Sequence, residues 1–133
     1  MVVIDTHVWL WWLHDPSQLS RRARSLLAKH TAADGDGALL SVISVWEVAL
    51  KVTVGKLHLH MDLDSWYARA RAYPGIDIVE LSADDAIEST RLPGDFHRDP
   101  ADQMIVALAR RLGSRLITRD RRILAYEHVN AVW

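Results

Sequence analysis

The chain has 133 residues and no cysteine, and this absence excludes several functional classes at once. Without thiols the protein has no disulfide framework, no thiolate nucleophile and no cysteine-based zinc site. No run of residues approaches the roughly 18 unbroken apolar positions that a membrane span needs, and no basic segment precedes the first apolar residues. We therefore expect no membrane span and no signal peptide, and the lack of cysteine fits a cytoplasmic protein.

Several motifs that mark well-known ligand sites are missing as well. There is no G-x-G-x-x-G and no G-x-x-x-x-G-K-[ST], so the dinucleotide-binding and P-loop classes lose their main support. The chain also lacks the G-x-S-x-G elbow of serine hydrolases and an H-x-x-x-H pair that would favour zinc. Asp5 is not followed by a second aspartate in a D-x-D pattern, which argues against an aspartyl-phosphate phosphatase.

Charge of one sign is not in excess, since the formal net charge is −1. The whole chain therefore does not indicate nucleic-acid binding. Several arginines nevertheless flank the acidic residues of the C-terminal third, where they would suit phosphate contacts or form a solvated helix face. Half of the residues are hydrophobic, and the length suits one domain over residues 1–133 with a core of its own.

The hydrophobic pattern predicts strands that alternate with helices. Short apolar stretches predict strands at residues 2–4, 38–40, 76–81, 115–118 and 129–132. Helical patterns cover residues 7–14, 20–32, 44–55, 64–73, 82–92, 99–113 and 121–125. Strands alternating with helices favour a parallel sheet covered on both faces. The predicted fold class is therefore α/β, a single three-layer α/β/α domain with a mainly parallel sheet.

Four acidic residues lie far apart in the sequence, each at the edge of an apolar segment. They are Asp5, Glu47, Asp102 and Asp120. Acids at strand and helix ends of an α/β sheet can converge on one crevice. Because clustered carboxylates repel one another, they need a cation to hold them together. The pattern predicts a hard divalent metal and metal-assisted phosphoester chemistry.

Each acid also has a simpler structural interpretation. Asp5 is equally suited to cap the next helix, and Asp120 to serve as a turn residue or cap. For Glu47, considered alone, a capping box with Ser44 is the favoured interpretation. Asp99 precedes Asp102 by three positions, and we expect it to cap the helix or assist the site while Asp102 faces the metal.

Hydroxyl, histidine and tryptophan side chains add further candidates. Thr118 and Ser44 lie beside two of the acids, where a hydroxyl orients a carboxylate or water, or merely caps the backbone. His97 either approaches the acids or lies at the surface, the surface being favoured. The tryptophans at 9, 11, 12, 46 and 66 are expected in the core or at an interface, and segment 9–13 is predicted to be partly a protein interface.

A family resemblance extends along almost the whole chain. Its markers are Val3-Ile4-Asp5-Thr6-His7, Leu10 to Leu13, Ser41 to Lys51 with Gly55-Lys56-Leu57, Leu92-Pro93, His97 to Ala107, Leu116 to Asp120 and Val132-Trp133. In this order and spacing they resemble PIN-domain ribonucleases, specifically the VapC-type toxins of toxin–antitoxin pairs. Gln103 stands where the family often has arginine, and Ala101 where an aromatic residue is common.

The resemblance implies a metal-dependent endoribonuclease. It implies metal-site acids at Asp5, Glu47, Asp102 and Asp120, the set found above. It also implies Mg²⁺ or Mn²⁺, an RNA substrate, a homodimer and an inhibiting antitoxin. Auxiliary candidates are Asp99, Thr118, Ser44 and Thr6, and candidates for RNA or phosphate contact are Arg119, Arg98 and His97. The alternatives are a non-catalytic RNA-binding or protein-interaction module, and a metal-dependent DNA nuclease or phosphatase with the same acids.

Overall fold

The computed structural model describes residues 1–133 as five strands and seven α-helices. They are β1 (Val2–Ile4), α1 (Thr6–His14), α2 (Arg21–Thr31), β2 (Ala38–Ser41), α3 (Val42–Thr53), α4 (Leu63–Arg71), β3 (Ile76–Val79), α5 (Ala83–Ser89), α6 (Pro100–Arg111), β4 (Arg115–Ile117), α7 (Arg121–Leu124) and β5 (Ala131–Val132). A short 3₁₀ turn, Pro16–Gln18, joins α1 to α2. None of the helices has the length and apolar character needed to cross a membrane.

The strands form one parallel sheet in the order β3-β2-β1-β4-β5. Ile4 of the central strand pairs with Leu40 on one side and with Ile117 on the other, so β1 and β4 end at the same level and β2 ends one residue later. Along the chain, β2 and β3 are added on one side of β1, and β4 and β5 are then added on its other side. This reversal creates a crevice beyond the carboxyl ends of β1 and β4, where α/β sheets place ligands.

The core lies on both faces of the sheet, and β1 contributes to both because its side chains alternate. Val2 and Ile4 pack into a cluster with α1, α2 and α4, whereas Val3 packs into a second cluster with α6 and α7. The first cluster includes fully buried Trp9, and Trp66 is 3% exposed. This arrangement confirms the predicted three-layer α/β/α fold.

Most predicted elements match the structure, but several ends differ by a few residues. β3 ends at Val79 because its neighbour β2 ends at the paired Ser41, so residues 80–81 have no strand to pair with. α5 ends at Ser89 rather than near 92, and α4 begins at Leu63, one residue earlier than predicted. The Asp62 side chain caps α4 by accepting a hydrogen bond from the Ser65 N–H at 2.9 Å.

The predicted capping box of Ser44 and Glu47 is wrong. β2 passes directly into α3, whose N-cap is Ser41, and its hydroxyl accepts a hydrogen bond from the Ile43 N–H at 3.3 Å. Ser44 and Glu47 therefore lie inside the helix, in its first and second turns. Ser44 is fully buried and Glu47 is half-buried, so both side chains are available for tertiary contacts.

Candidate functional site

Asp5 lies at the centre of the candidate site, between the end of β1 and the start of α1. It is 4% exposed and serves as the N-cap of α1, where its Oδ1 accepts a hydrogen bond from the Thr6 N–H at 2.7 Å. Its Oδ2 accepts a second hydrogen bond from the Thr118 hydroxyl at 2.7 Å. The predicted helix cap and the predicted position at a strand's carboxyl end therefore both apply to Asp5.

Thr6 links Asp5 to α3. The Thr6 hydroxyl donates to Glu47 Oε1 at 2.6 Å, and its oxygen lies 2.8 Å from the Ser44 Oγ. These contacts replace the capping roles that the sequence favoured for Ser44 and Glu47. They fix the Glu47 carboxylate beside the residue that follows Asp5, along the same edge of the sheet.

Thr118 links Asp5 to Asp120 on the other side. Its hydroxyl oxygen accepts a hydrogen bond from the Asp120 N–H at 3.0 Å while its proton is donated to Asp5. Asp120 caps α7, accepting from the backbone N–H groups of Arg122 at 2.8 Å and Ile123 at 3.2 Å. The predicted cap role of Asp120 is confirmed, and the same residue lies beside the crevice.

Asp102 enters the site from the first turn of α6. Asp99 is the N-cap of that helix and accepts a hydrogen bond from the Asp102 N–H at 3.1 Å. The Asp102 side chain is 12% exposed, and its Oδ2 lies 2.6 Å from His97 Nε2. His97 is therefore held against the acids rather than free at the surface, and its Nδ1 is buried without a partner.

Arg122 contacts two of the four acids, a role that sequence patterns did not predict. Its Nη2 lies 3.0 Å from Asp120 Oδ2 and 3.4 Å from Asp102 Oδ2. The other arginine candidates lie elsewhere: the Arg119 guanidinium lies over the Trp11 ring at 5.8 Å, and Arg98 is exposed and forms no ion pair. The only available signal for Arg122 was its position two residues after Asp120.

The pKa of Asp102 is raised from its ordinary 3.8 to about 6, and burial is the largest cause. The negative charges of Asp5, Asp99 and Asp120 act in the same direction, while the hydrogen bond from His97 opposes them. These effects show that three other carboxylates lie within electrostatic range of Asp102. The raised pKa therefore reflects first the burial of this carboxyl and then the negative charges beside it.

Burial also raises the pKa of Glu47, and Asp5 and Asp99 add to the shift. The Thr6 hydroxyl and the charge of Lys51 act in the opposite direction. For Asp120 the balance is reversed. Burial would raise its pKa, but hydrogen bonds from the Arg122 guanidinium and from backbone N–H groups outweigh burial and lower it.

The donor chemistry of the cluster fits a hard divalent cation, since carboxylate oxygens are the ligands that Mg²⁺ prefers. No three acidic or histidine side chains are gathered closely enough to enclose a metal ion as they stand, and Asp102 and Asp120 are turned onto Arg122. Mg²⁺ does not require a closed cage, because it keeps several of its waters. An ion at this cluster would require Arg122 to leave Asp102 and Asp120 and the acids to draw together.

Comparison with known proteins identifies the family. A model of the PIN domain matches residues 2–129. Ribonuclease VapC22 of Mycobacterium tuberculosis (strain ATCC 25618 / H37Rv) is 30% identical over 131 residues, which cover 98% of this chain and 95% of that protein.

Two solved structures share the fold. FitAcB from Neisseria gonorrhoeae is 20% identical with a TM-score of 0.69, and the match covers 100% of this chain and 97% of that one. VapBC2 from Rickettsia felis, bound to a promoter DNA fragment, is 14% identical with a TM-score of 0.68, covering 99% and 98%. At these identities the structures support the fold alone. The family match and the VapC22 relative together show that this chain belongs to the PIN-domain family, among its VapC-type members.

Proposed function

We propose that the protein is a metal-dependent endoribonuclease that acts as the toxin of a toxin–antitoxin pair. The main support is the acidic cluster, in which side chains from four separate elements are connected through Thr6, Thr118 and Arg122 at the crevice beside β1. The name of the 30% identical relative, a ribonuclease, supports RNA as the substrate.

The metal in this proposal is Mg²⁺, with Mn²⁺ as the alternative. Asp5, Glu47, Asp102 and Asp120 would hold it, partly through water. A divalent cation bound there would lower the pKa of a water and neutralise charge on a phosphoryl oxygen. Both oxygens of Asp5 are oriented, because the Thr6 N–H donates to one and the Thr118 hydroxyl to the other.

In this mechanism Glu47 accepts the proton from the attacking water. A half-buried carboxylate with a raised pKa is a better base near neutral pH than Asp120, whose pKa is lowered. The water oxygen bonds to phosphorus as the bond from phosphorus to a ribose oxygen breaks, and the departing oxygen takes a proton from solvent water. Thr6 holds the Glu47 carboxylate through its hydroxyl, so Thr6 is a positioning residue.

Arg122 has two roles in the proposal. Without metal it partly neutralises Asp102 and Asp120, and its side chain is 58% exposed and can turn away. Once displaced by the cation, the guanidinium remains beside the site, where its planar donors suit a phosphate group. Arg119 lies beside Trp11 and suits a phosphate further along the RNA.

The proposed partners are an antitoxin and a second copy of the chain. The antitoxin is supported by structural neighbours such as VapBC2 and a toxin–antitoxin complex from Klebsiella pneumoniae. The homodimer is supported by an apolar stripe along α3 and its C-cap, formed by Val42, Trp46, Leu50 and Val54, which are 36%, 54%, 42% and 55% exposed. Residues four apart share one helix face, and such a face commonly lies in an interface.

The first test is incubation of the full chain with total RNA, with Mg²⁺ and with EDTA. We expect cleavage in Mg²⁺ only, and its loss in Asp5→Asn, whose side chain still suits the N-cap position but has no charge. Asp64→Asn, an exposed acid on α4, is the matched control and is expected to cleave normally. Normal cleavage by Asp5→Asn would contradict the proposal.

The alternative of a non-catalytic binding module is favoured by one observation, that Arg122 already occupies two of the acids and no three are gathered around an ion. Calorimetric titration with Mg²⁺ distinguishes the two. A folded protein that binds no divalent cation would support the module. Cleavage of DNA or of a small phosphoester in preference to RNA would instead support a different metal-dependent phosphoesterase.

A further inference from the structure

A second groove, separate from the acidic cluster, opens between α1 and the segment that follows α3. It has a volume of about 430 Å³. Its polar lining consists of His7, His14, Lys51, Lys56, His58 and His60, and no acidic residue lines it. In a chain with a net charge of −1, a concave surface with only basic and neutral groups is suited to an anionic occupant.

The groove also has an aromatic surface. Trp11 lines it and is half-buried, and the His7 ring lies 5.6 Å from the Trp11 ring. The Arg119 guanidinium lies 5.8 Å from the same ring. An aromatic ring beside a guanidinium is an arrangement with which proteins bind unpaired bases and their phosphates.

The groove lies next to the acidic cluster. His7 follows Thr6 directly, and Arg119 lies between Thr118 and Asp120. Lys51 lines both this groove and a smaller depression whose walls include Glu47 and Asp99. A strand of RNA with its scissile phosphate at the acids would therefore reach Trp11 and the two lysines with its neighbouring nucleotides.

We propose that this groove binds the single-stranded RNA segment that flanks the scissile phosphate, with a base on Trp11 and phosphates on Lys51 and Lys56. The proposal rests on the proposed ribonuclease function. Unpaired RNA is favoured over duplex because only unpaired bases expose a face for stacking. RNA is favoured over a protein segment because the groove combines cations with an aromatic surface and contains no carboxylate to pair with a basic side chain.

The test measures RNA binding in EDTA, so that no cleavage consumes the probe. A fluorescein-labelled single-stranded oligoribonucleotide is titrated against the wild type, Lys51→Gln/Lys56→Gln, Trp11→Leu and Trp11→Phe. Arg21→Gln/Arg22→Gln removes two exposed charges from α2, away from the groove, and is the matched control. Each titration is repeated over a range of salt concentrations.

We expect Lys51→Gln/Lys56→Gln to lower the slope of log affinity against log salt by roughly 1.4, about 0.7 for each phosphate that a lysine no longer neutralises. Trp11→Leu should weaken binding by about 5- to 150-fold, the effect of removing the stacking surface for one base, and Trp11→Phe should retain most of the affinity. A duplex of the same sequence should bind more weakly than the single strand.

The proposal would be overturned if Lys51→Gln/Lys56→Gln and Trp11→Leu bound RNA with the same affinity and salt dependence as the control variant Arg21→Gln/Arg22→Gln. The same variants are also titrated with a glutamate-rich peptide that contains tryptophan. If they bound RNA as the wild type does but no longer bound this peptide, the groove would be a site for a protein segment and the proposal would be overturned. Groove-dependent RNA binding in a wild type that shows no Mg²⁺-dependent cleavage would support the groove and contradict the nuclease function. The two proposals therefore fail separately.

Discussion

Among single residues, Arg122 and a metal ion compete for the same carboxylates. Arg122→Gln should tighten Mg²⁺ binding by roughly two- to fivefold, the modest effect of losing a solvent-exposed ion pair. Arg121→Gln, its exposed neighbour, is the control and should bind Mg²⁺ as the wild type does. Calorimetry measures both, and weaker binding by Arg122→Gln would contradict the competition.

Asp102 makes the stability of the metal-free protein depend on pH. Because its folded-state pKa is raised from 3.8 to about 6, the folded protein binds more protons than the unfolded chain between these values. The free energy of unfolding of the wild type therefore falls as the pH rises from about 4 to about 6. Asp102→Asn has no carboxyl at this position and does not show this fall, so the variant should gain stability relative to the wild type across that window, by no more than about 3 kcal/mol.

Urea unfolding in EDTA at a series of pH values checks this prediction. The quantity to compare is the difference in unfolding free energy between Asp102→Asn and the wild type. A difference that stays constant from pH 4 to pH 7 would mean that the pKa of this carboxyl is not raised in the folded protein. Added Mg²⁺ should stabilise the wild type, because an ion that binds only the folded state shifts the equilibrium towards it.

Sequence patterns predicted the positions of Asp5, Asp102 and Asp120 at one edge of the sheet, because strand and helix ends follow from local hydrophobicity and capping preferences. They did not predict the side chain of Arg122 or the contact between His97 and Asp102. Those contacts depend on how a rotamer of one element meets another element, and this information is not contained in local spacing.

Among the secondary-structure elements, the start of α3 shows how a capping-box pattern in the sequence can point to the wrong N-cap. Ser41 and Ser44 are both good N-caps, and Glu47 three positions after Ser44 completes the capping-box pattern. The structure uses Ser41, since β2 ends there and the chain turns directly into the helix. The glutamate that suggested a cap contacts Thr6 instead.

This assignment predicts different effects for the two serines. Ser41→Ala should destabilise the protein by about 0.5–1 kcal/mol, the lower part of the range for a lost N-cap, because its hydrogen bond is long. Ser25→Ala, exposed on α2, should have little effect. Urea unfolding measures both variants, and a fully stable Ser41→Ala would contradict the cap.

Ser44→Ala should mainly disturb the position of Thr6 and Glu47, and so lower RNA cleavage more than stability. If Ser44→Ala frayed the start of α3, as seen by hydrogen exchange of residues 42–46, the original capping box would be supported instead.

Across the whole molecule, the tryptophans divide between core and surface in a way that sequence alone could not resolve. Trp9 and Trp66 lie in the core with their rings 5.0 Å apart, whereas Trp46 is 54% exposed on α3. All of these side chains are equally hydrophobic, so the residue type does not indicate which are buried. Exposure is decided by the direction in which each helix face points. The most exposed tryptophan of the chain thus lies outside segment 9–13, on the apolar stripe of α3.

If that stripe forms the homodimer, Trp46→Glu should produce a monomer at micromolar concentration, because a charge at the centre of an apolar interface is buried without a partner. Ile87→Glu places the same charge at another exposed apolar position, on α5, and should not change the assembly. Sedimentation velocity measures both. A wild type that is monomeric at the same concentration would contradict the homodimer.

The proposed chemistry depends above all on the converging carboxylates holding a divalent cation. Anomalous diffraction from crystals soaked in Mn²⁺ measures this directly. We expect a peak bound by Asp5 together with Asp102 or Asp120, with the Arg122 guanidinium turned away from both. Mn²⁺ bound only elsewhere, with Arg122 still in contact with Asp102 and Asp120, would show that the cluster is not a metal site.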